Sequence, residues 1–159
     1  MDPPSHDFLT WTTYGTWLHG DTRGWCDRKD EYYPGKHKSD PLLEERRRKQ
    51  LKHPQTTFTP EMRTAVDAAI SEVCEYRGWQ LHAVNVRSNH VHAVVTADAD
   101  VNHVLRDFKA YGTRRLRREG LMPEDREVWT EGGDRVFLHS SAEVEACVHY
   151  VLHEQDGLR

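Results

Sequence analysis

Hydrophobic and polar positions along the chain predict eight stretches of regular structure. Phe8-Leu-Thr-Trp-Thr-Thr-Tyr-Gly-Thr-Trp17, within Asp7 to Leu18, is rich in aromatic and β-branched residues that suit a half-buried pleated surface, and it is read as the first strand. A polar stretch from His19 to Thr57 follows, broken by Gly20, Gly24, Pro34, Gly35, Pro41 and Pro54. It is read as an insertion or lid at about residues 19–57, with Leu42 to Lys52 as one short charged helix. Thr59-Pro60-Glu61 is a helix start, with an N-cap, a proline at the first helical position and an acid in the first turn. Met62, Val66, Ala69, Ile70, Val73 and Tyr76 then recur at helical spacing until Gly78.

Trp79–Val86 and Val91–Thr96 alternate apolar and polar residues around the turn Arg87-Ser88-Asn89, which predicts two paired antiparallel strands. A second long helix is expected from about Asp100 to Arg118, closing at Gly120. Val128 to Leu138 reads as one or two short strands around Gly132-Gly133. Ser140 caps a last helix reaching about Gln155, with Val144, Cys147, Val148, Val151 and Leu152 as its apolar face. This order of elements predicts an α+β fold, an antiparallel sheet with helices on one face, related to the ferredoxin-like sandwich.

Composition narrows the function classes. A chain of 159 residues fits one domain. No stretch approaches the roughly 18 apolar residues of a membrane span. The start lacks the basic-then-apolar pattern of a secretory signal, so a soluble cytoplasmic protein without a membrane partner is expected. Cys26, Cys74 and Cys147 form no C-x-x-C pair, which argues against a disulfide scaffold and a thiolate zinc site. The net charge of -4 gives no global reason to expect nucleic acid, so that case must rest on local charge.

Three local patterns carry chemistry. In Asn89-His90-Val91-His92, strand periodicity sends both imidazoles to one face, about 6 to 7 Å apart, where they can share a metal ion; a solvated or hydrogen-bonded pair is the ordinary alternative. In His149-Tyr150-Val-Leu-His153-Glu154-Gln155, four helical residues make about 400° of rotation, so Tyr150 and Glu154 share a face while Gln155 lies about 140° away from the tyrosine. Glu154 is thus the better third ligand and Gln155 the backup. The alternative packs Tyr150 in the core and leaves Glu154 in solvent. Leu105 to Arg118 holds six basic residues against Asp107, offering phosphate contacts through Arg106, Lys109, Arg114, Arg115 and Arg118, unless it is simply a solvated basic face.

Together these features resemble the single-tyrosine HUH endonuclease transposases, including insertion-sequence transposases and the REP-associated tyrosine transposases. The likeness covers nearly the whole chain outside the insert. It implies His90 and His92 as metal ligands, Glu154 in place of the family's usual Gln or Asn, Tyr150 as nucleophile and Mg²⁺ or Mn²⁺ as cofactor. It also implies a single-stranded or hairpin DNA substrate cut through a 5′-phosphotyrosine, with a homodimer among the expected assemblies. The Asn-Pro that commonly follows the tyrosine in REP-associated members is absent. Tyr111 on the basic helix is the competing nucleophile, and Trp11, Tyr14 or Trp17 could stack on unpaired bases. Two other readings stay open: a catalytically silent hairpin binder of the same fold, and a zinc hydrolase in which His149 and His153 join His90 and His92.

Overall fold

The computed structural model describes residues 4–16, 41–51 and 53–153. Most of the expected insert, Trp17, Cys26, Glu154 and Gln155 therefore lie outside the described residues. Strands β1 (Ser5–Thr12), β2 (Gln80–Val86), β3 (His90–Ala97) and β4 (Asp134–Leu138) form one antiparallel sheet in the order β2-β3-β1-β4. Helices α1 (Pro41–Lys49), α2 (Pro60–Arg77), α3 (Val101–Arg118) and α4 (Ser141–His153) complete the described elements. No helix among the described residues is long and apolar enough to cross a membrane.

Local chemistry sets the element ends. The Thr59 hydroxyl accepts from the Met62 amide and starts α2, and Gly78 stops it in the left-handed region at φ 75°. At α4 the Ser140 hydroxyl accepts from the Glu143 amide at 3.1 Å, while the Glu143 carboxylate reaches back to the His139 amide at 2.6 Å. Asp100 accepts from the Asn102 amide at the start of α3.

Helices cover both faces of the sheet, which corrects the expectation of a single covered face. The register pairs Leu9 with Ala93 and Trp11 with Val91 on one side, and Phe8 with Val94 and Thr10 with His92 on the other. The first side packs against Met62, Val66, Ile70 and Val73 of α2 and Val104, Phe108 and Leu116 of α3. The second carries a smaller cluster in which Ala83, Val94 and Leu138 meet Val144 and Val151 of α4, with Phe8 and Tyr150 packed at its margin. Hence β3, the strand between β1 and β2, is buried along nearly its whole length although its sequence alternates.

Two expected strands are shorter than the pattern suggested. β1 stops at Thr12 because the chain turns at Gly15 (φ 81°), where an added Cβ would lie 2.9 Å from the Gln55 Cα. Upstream of β4 Trp129 pairs with Thr13 as an isolated bridge, because Gly132 turns the chain and Gly133 packs closely on the Thr10 carbonyl and Leu105, where an added Cβ would lie 3.0 Å from each. Tyr76 and Leu152, assigned to apolar faces by spacing, are exposed at 73% and 48%. Tyr76 lies in the exposed last turn of α2, and Leu152 faces away from the sheet although the preceding Val151 is fully buried.

Phe108 is fully buried and its ring meets both Trp11 and Trp79. Phe108→Ala should cost about 3–5 kcal/mol, read as a lowered urea midpoint with little change in slope.

Candidate active site

The α4 face of β3 presents both histidines of the His-Val-His sequence. His90 and His92 are each 5% exposed, and their rings stand nearly perpendicular with centroids 4.9 Å apart. Their Nδ1 atoms have partners: His90 Nδ1 lies 2.8 Å from Asn89 Oδ1, and His92 Nδ1 lies 2.9 Å from Thr10 Oγ1. Phe8 stacks on the His92 ring at 5.6 Å.

Tyr150, half-buried on α4, sets its ring perpendicular to that of His92 at 6.2 Å and edge-on to Phe8 at 6.0 Å. A side-chain bond fixes this docking, since Asn85 Nδ2 donates to the Val151 carbonyl at 2.9 Å. Asn85 pairs with His92 across β2 and β3, as Thr10 does across β1 and β3, so Thr10, His92 and Asn85 form one cross-strand row beneath the last turns of α4.

The β2–β3 turn beside His90 is anchored by buried threonines. Thr13 donates its amide and hydroxyl toward the Asn89 carbonyl, at 2.9 and 3.3 Å, and the same hydroxyl lies 2.6 Å from the Thr56 carbonyl. Thr130 returns a hydroxyl bond to the Thr13 carbonyl at 2.7 Å. These contacts join the end of β1, residues 54–58 and residues 127–130 into one support.

Burial, then the neighbouring His90, then Arg87 push the His92 pKa down to about 3. The ring is therefore neutral at physiological pH. Its Nε2 is buried with no hydrogen-bond partner among the described residues, an arrangement that costs roughly 1–3 kcal/mol if nothing occupies it. A neutral imidazole with one nitrogen engaged and the other bare is the donor a divalent cation requires, so His92 fits a metal, with His90 beside it as a second imidazole. Among the described residues no group of three His, Cys, Asp or Glu could hold an ion, and Glu154 and Gln155 lie outside them. His149 and His153 are exposed, their rings tilted 50° to one another with centroids 4.9 Å apart, and they do not join the buried pair, so the four-histidine zinc arrangement is not formed among the described residues.

Other expected site residues separate by environment. Trp11 is 1% exposed and stacks on Phe108, which removes it as a base-stacking platform; Tyr14 is half-buried against His53. Tyr111 packs on the α2–α3 side under the Arg114 guanidinium, with the sheet between it and the imidazoles.

On that side a groove of about 600 Å³ runs between α3 and residues 129–132, lined by Arg106, Arg114, Arg117, Thr113 and Trp129. Lys109 also borders it, but its ammonium donates to the Thr130 and Gly132 carbonyls at 2.9 and 2.5 Å, and burial lowers its pKa to about 8 against an opposing pull from Glu131. Arg115 is held by Glu119 and, at 3.3 Å, by Glu72, while Arg118 is exposed beyond the groove. The sequence reading missed Arg117, Thr10, Asn85 and Asn89. Arg117 could have been found from its three-residue spacing with Arg114, but the other three acquire their places only from strand register and the turn.

Above about pH 6.5 the His92 ring is neutral whether the chain is folded or not, whereas between about pH 6.5 and 3 only the unfolded chain takes up the proton. Stability of the metal-free protein should thus fall as pH drops through this window. In His92→Asn that acid limb should be shallower, by urea titrations between about pH 7 and 4. An equal slope in both proteins would contradict the assigned burial of a neutral ring.

Comparison with solved structures places this architecture. A REP-associated tyrosine transposase bound to a REP hairpin superposes with a TM-score of 0.53 at 15% identity, over 95% of this chain and 66% of that one. A candidate transposase from Deinococcus radiodurans R1 gives 0.51 at 12% identity, over 98% and 93%. No curated protein matches by sequence. The family described as IS200-like transposases matches residues 50–154, which carry the paired histidines, the basic helix and Tyr150. The chain belongs to the IS200-like transposase family.

Proposed function

We propose that the protein is a metal-dependent single-stranded DNA endonuclease and strand transferase, with Tyr150 as nucleophile and Mg²⁺ or Mn²⁺ held by His90, His92 and Glu154. The observation that carries this reading is the Tyr150 ring against His92, a buried neutral imidazole whose Nε2 has no hydrogen-bond partner among the described residues. Two imidazoles and one carboxylate form a donor set suited to such ions.

A phosphodiester repels nucleophiles because its oxygens already carry charge. A divalent cation bound at the imidazoles supplies positive charge against the negative charge that builds up on the phosphate. Tyr150 provides the attacking oxygen: it bonds to phosphorus, the bond from phosphorus to the 3′ oxygen breaks, and that oxygen leaves as a 3′-hydroxyl. The product is a 5′-phosphotyrosine, and the 3′-hydroxyl of another strand reverses the step without ATP. Packing against Phe8 and His92 limits how the phenol can turn, which favours attack from one direction.

The groove on the α3 side suits the backbone of a folded hairpin. Its three arginines offer phosphate contacts, and Trp129 is anchored by bonds from its indole N–H to the Lys109 carbonyl and the Thr113 hydroxyl, both at 3.0 Å. The hairpin seen with the REP-associated relative is consistent with this class of ligand.

With 3′-labelled single-stranded DNA and Mn²⁺, a covalent adduct that survives denaturation should form, and Tyr150→Phe should abolish it. An adduct of undiminished yield in that variant would move the nucleophile elsewhere. For hairpin DNA, Arg106→Ala, Arg114→Ala and Arg117→Ala should each reduce the slope of log affinity against log salt by about 1, whereas Arg118→Ala should leave it unchanged.

A further inference from the structure

We infer that Asn89 and Thr10 are positioning residues that lock His90 and His92 in one shared tautomer, with the proton on Nδ1 and the lone pair on Nε2. A neutral imidazole can carry its hydrogen on either nitrogen, but only a nitrogen without one can bind a metal. An isolated histidine samples both forms, so a pair that must offer two lone pairs together needs each ring fixed separately.

For His90 the assignment follows from its partner. Asn89 Oδ1 is a carbonyl oxygen with no hydrogen to give, so the shared hydrogen of that 2.8 Å contact sits on Nδ1. For His92 the partner is ambiguous, because the Thr10 hydroxyl can donate or accept across 2.9 Å. The other end of the ring decides it. His92 Nε2 is buried without a partner among the described residues. A hydrogen there would be a buried N–H donor with no acceptor, which native proteins avoid more strictly than an unused acceptor lone pair. The hydrogen therefore belongs on Nδ1, directed at the Thr10 oxygen.

The two locks come from different parts of the fold. Thr10 is held by the β1–β3 register, opposite His92. Asn89 is held by the turn whose carbonyl Thr13 clasps. Neither residue needs to touch an ion or DNA. Their effect on metal affinity rests on the metal-binding reading above, whereas the tautomer assignment stands without it.

The test uses full-length protein with ¹⁵N-labelled histidine, free of metal at neutral pH, where long-range ¹H–¹⁵N correlations show which nitrogen carries the proton. His90 and His92 should both be protonated on Nδ1. Thr10→Val, which keeps the shape and removes the oxygen, should release His92 to a mixture or to the Nε2-protonated form, and Thr10→Ser should restore the wild-type pattern. Mn²⁺ titration followed by electron paramagnetic resonance should show about 10- to 100-fold weaker binding in Thr10→Val and Asn89→Ala. Thr10→Ser and Asn89→Asp, which each keep an acceptor oxygen, should bind within about 3-fold of wild type or tighter. A His92 protonated on Nε2 in the wild-type protein, or a Thr10→Val protein with unchanged tautomer, overturns the lock. Shifted tautomers with Mn²⁺ affinity indifferent to His92→Ala would instead overturn the metal reading and leave the lock standing.

Discussion

Burial of β3 on both faces is the constraint from which the rest of the molecule follows. A strand between two layers of helix must satisfy apolar packing on each side, and Val91, Ala93 and Val95 do so against the large α2–α3 core. On the other side the neighbouring positions include His90 and His92, which are polar. They are tolerated there because each ring has a hydrogen-bonding partner at Nδ1 and because the layer above them, α4, is thin and bordered by aromatic rings. The large core supplies the stability, and the small one accepts the cost of a buried neutral imidazole.

That asymmetry places the chemistry. The α2–α3 layer covers its face with two helices of 18 residues each, whereas α4 contributes 13 residues and two buried positions, Val144 and Val151. Its docking relies on the Asn85 amide bond to Val151 as well as on apolar area. A helix held by few contacts opens at lower free energy than the core beneath it. On the proposed function, a nucleophile carried on such a helix would admit and release a bulky polymer without disturbing the strand that carries the imidazoles.

Most of the fold was legible in the sequence because its signals are local. The Thr59-Pro60 start, the Gly78 stop, the Arg87–Asn89 turn and the Ser140 cap each act within a few residues, and each appears in the structure. The facing of His90 and His92 was equally legible, since strand period alone determines it. What could not be read was the second covered face: the alternation of β3 looks the same whether its polar side meets water or a helix. Thr10 and Asn85 gave no sign of their places either, as Thr10 meets His92 across 82 positions of sequence and Asn85 meets Val151 across 66. Lys109 and Arg115 show the converse limit. A basic residue on a helix looks like a phosphate contact until the carbonyls of Thr130 and Gly132, or Glu72, are found to hold it.

The basic groove and the imidazole pair lie on opposite faces of the sheet, yet the fold brings them to the same end of it. His90 is paired with Thr12, and the next residue, Thr13, bridges Trp129, which lines the groove. The buried threonine network occupies this junction and joins it to the β2–β3 turn. On the proposed function, a nucleic acid gripped along α3 would reach Tyr150 by passing over this end of the sheet. Rigidity here would then matter for rate, because a displacement of about 1 Å in reacting groups can cost a hundredfold. On that reading the hydroxyl-to-carbonyl bonds around Thr13 link the grip on a remote segment to the position of the imidazoles, between the large core on one face of the sheet and the small one on the other.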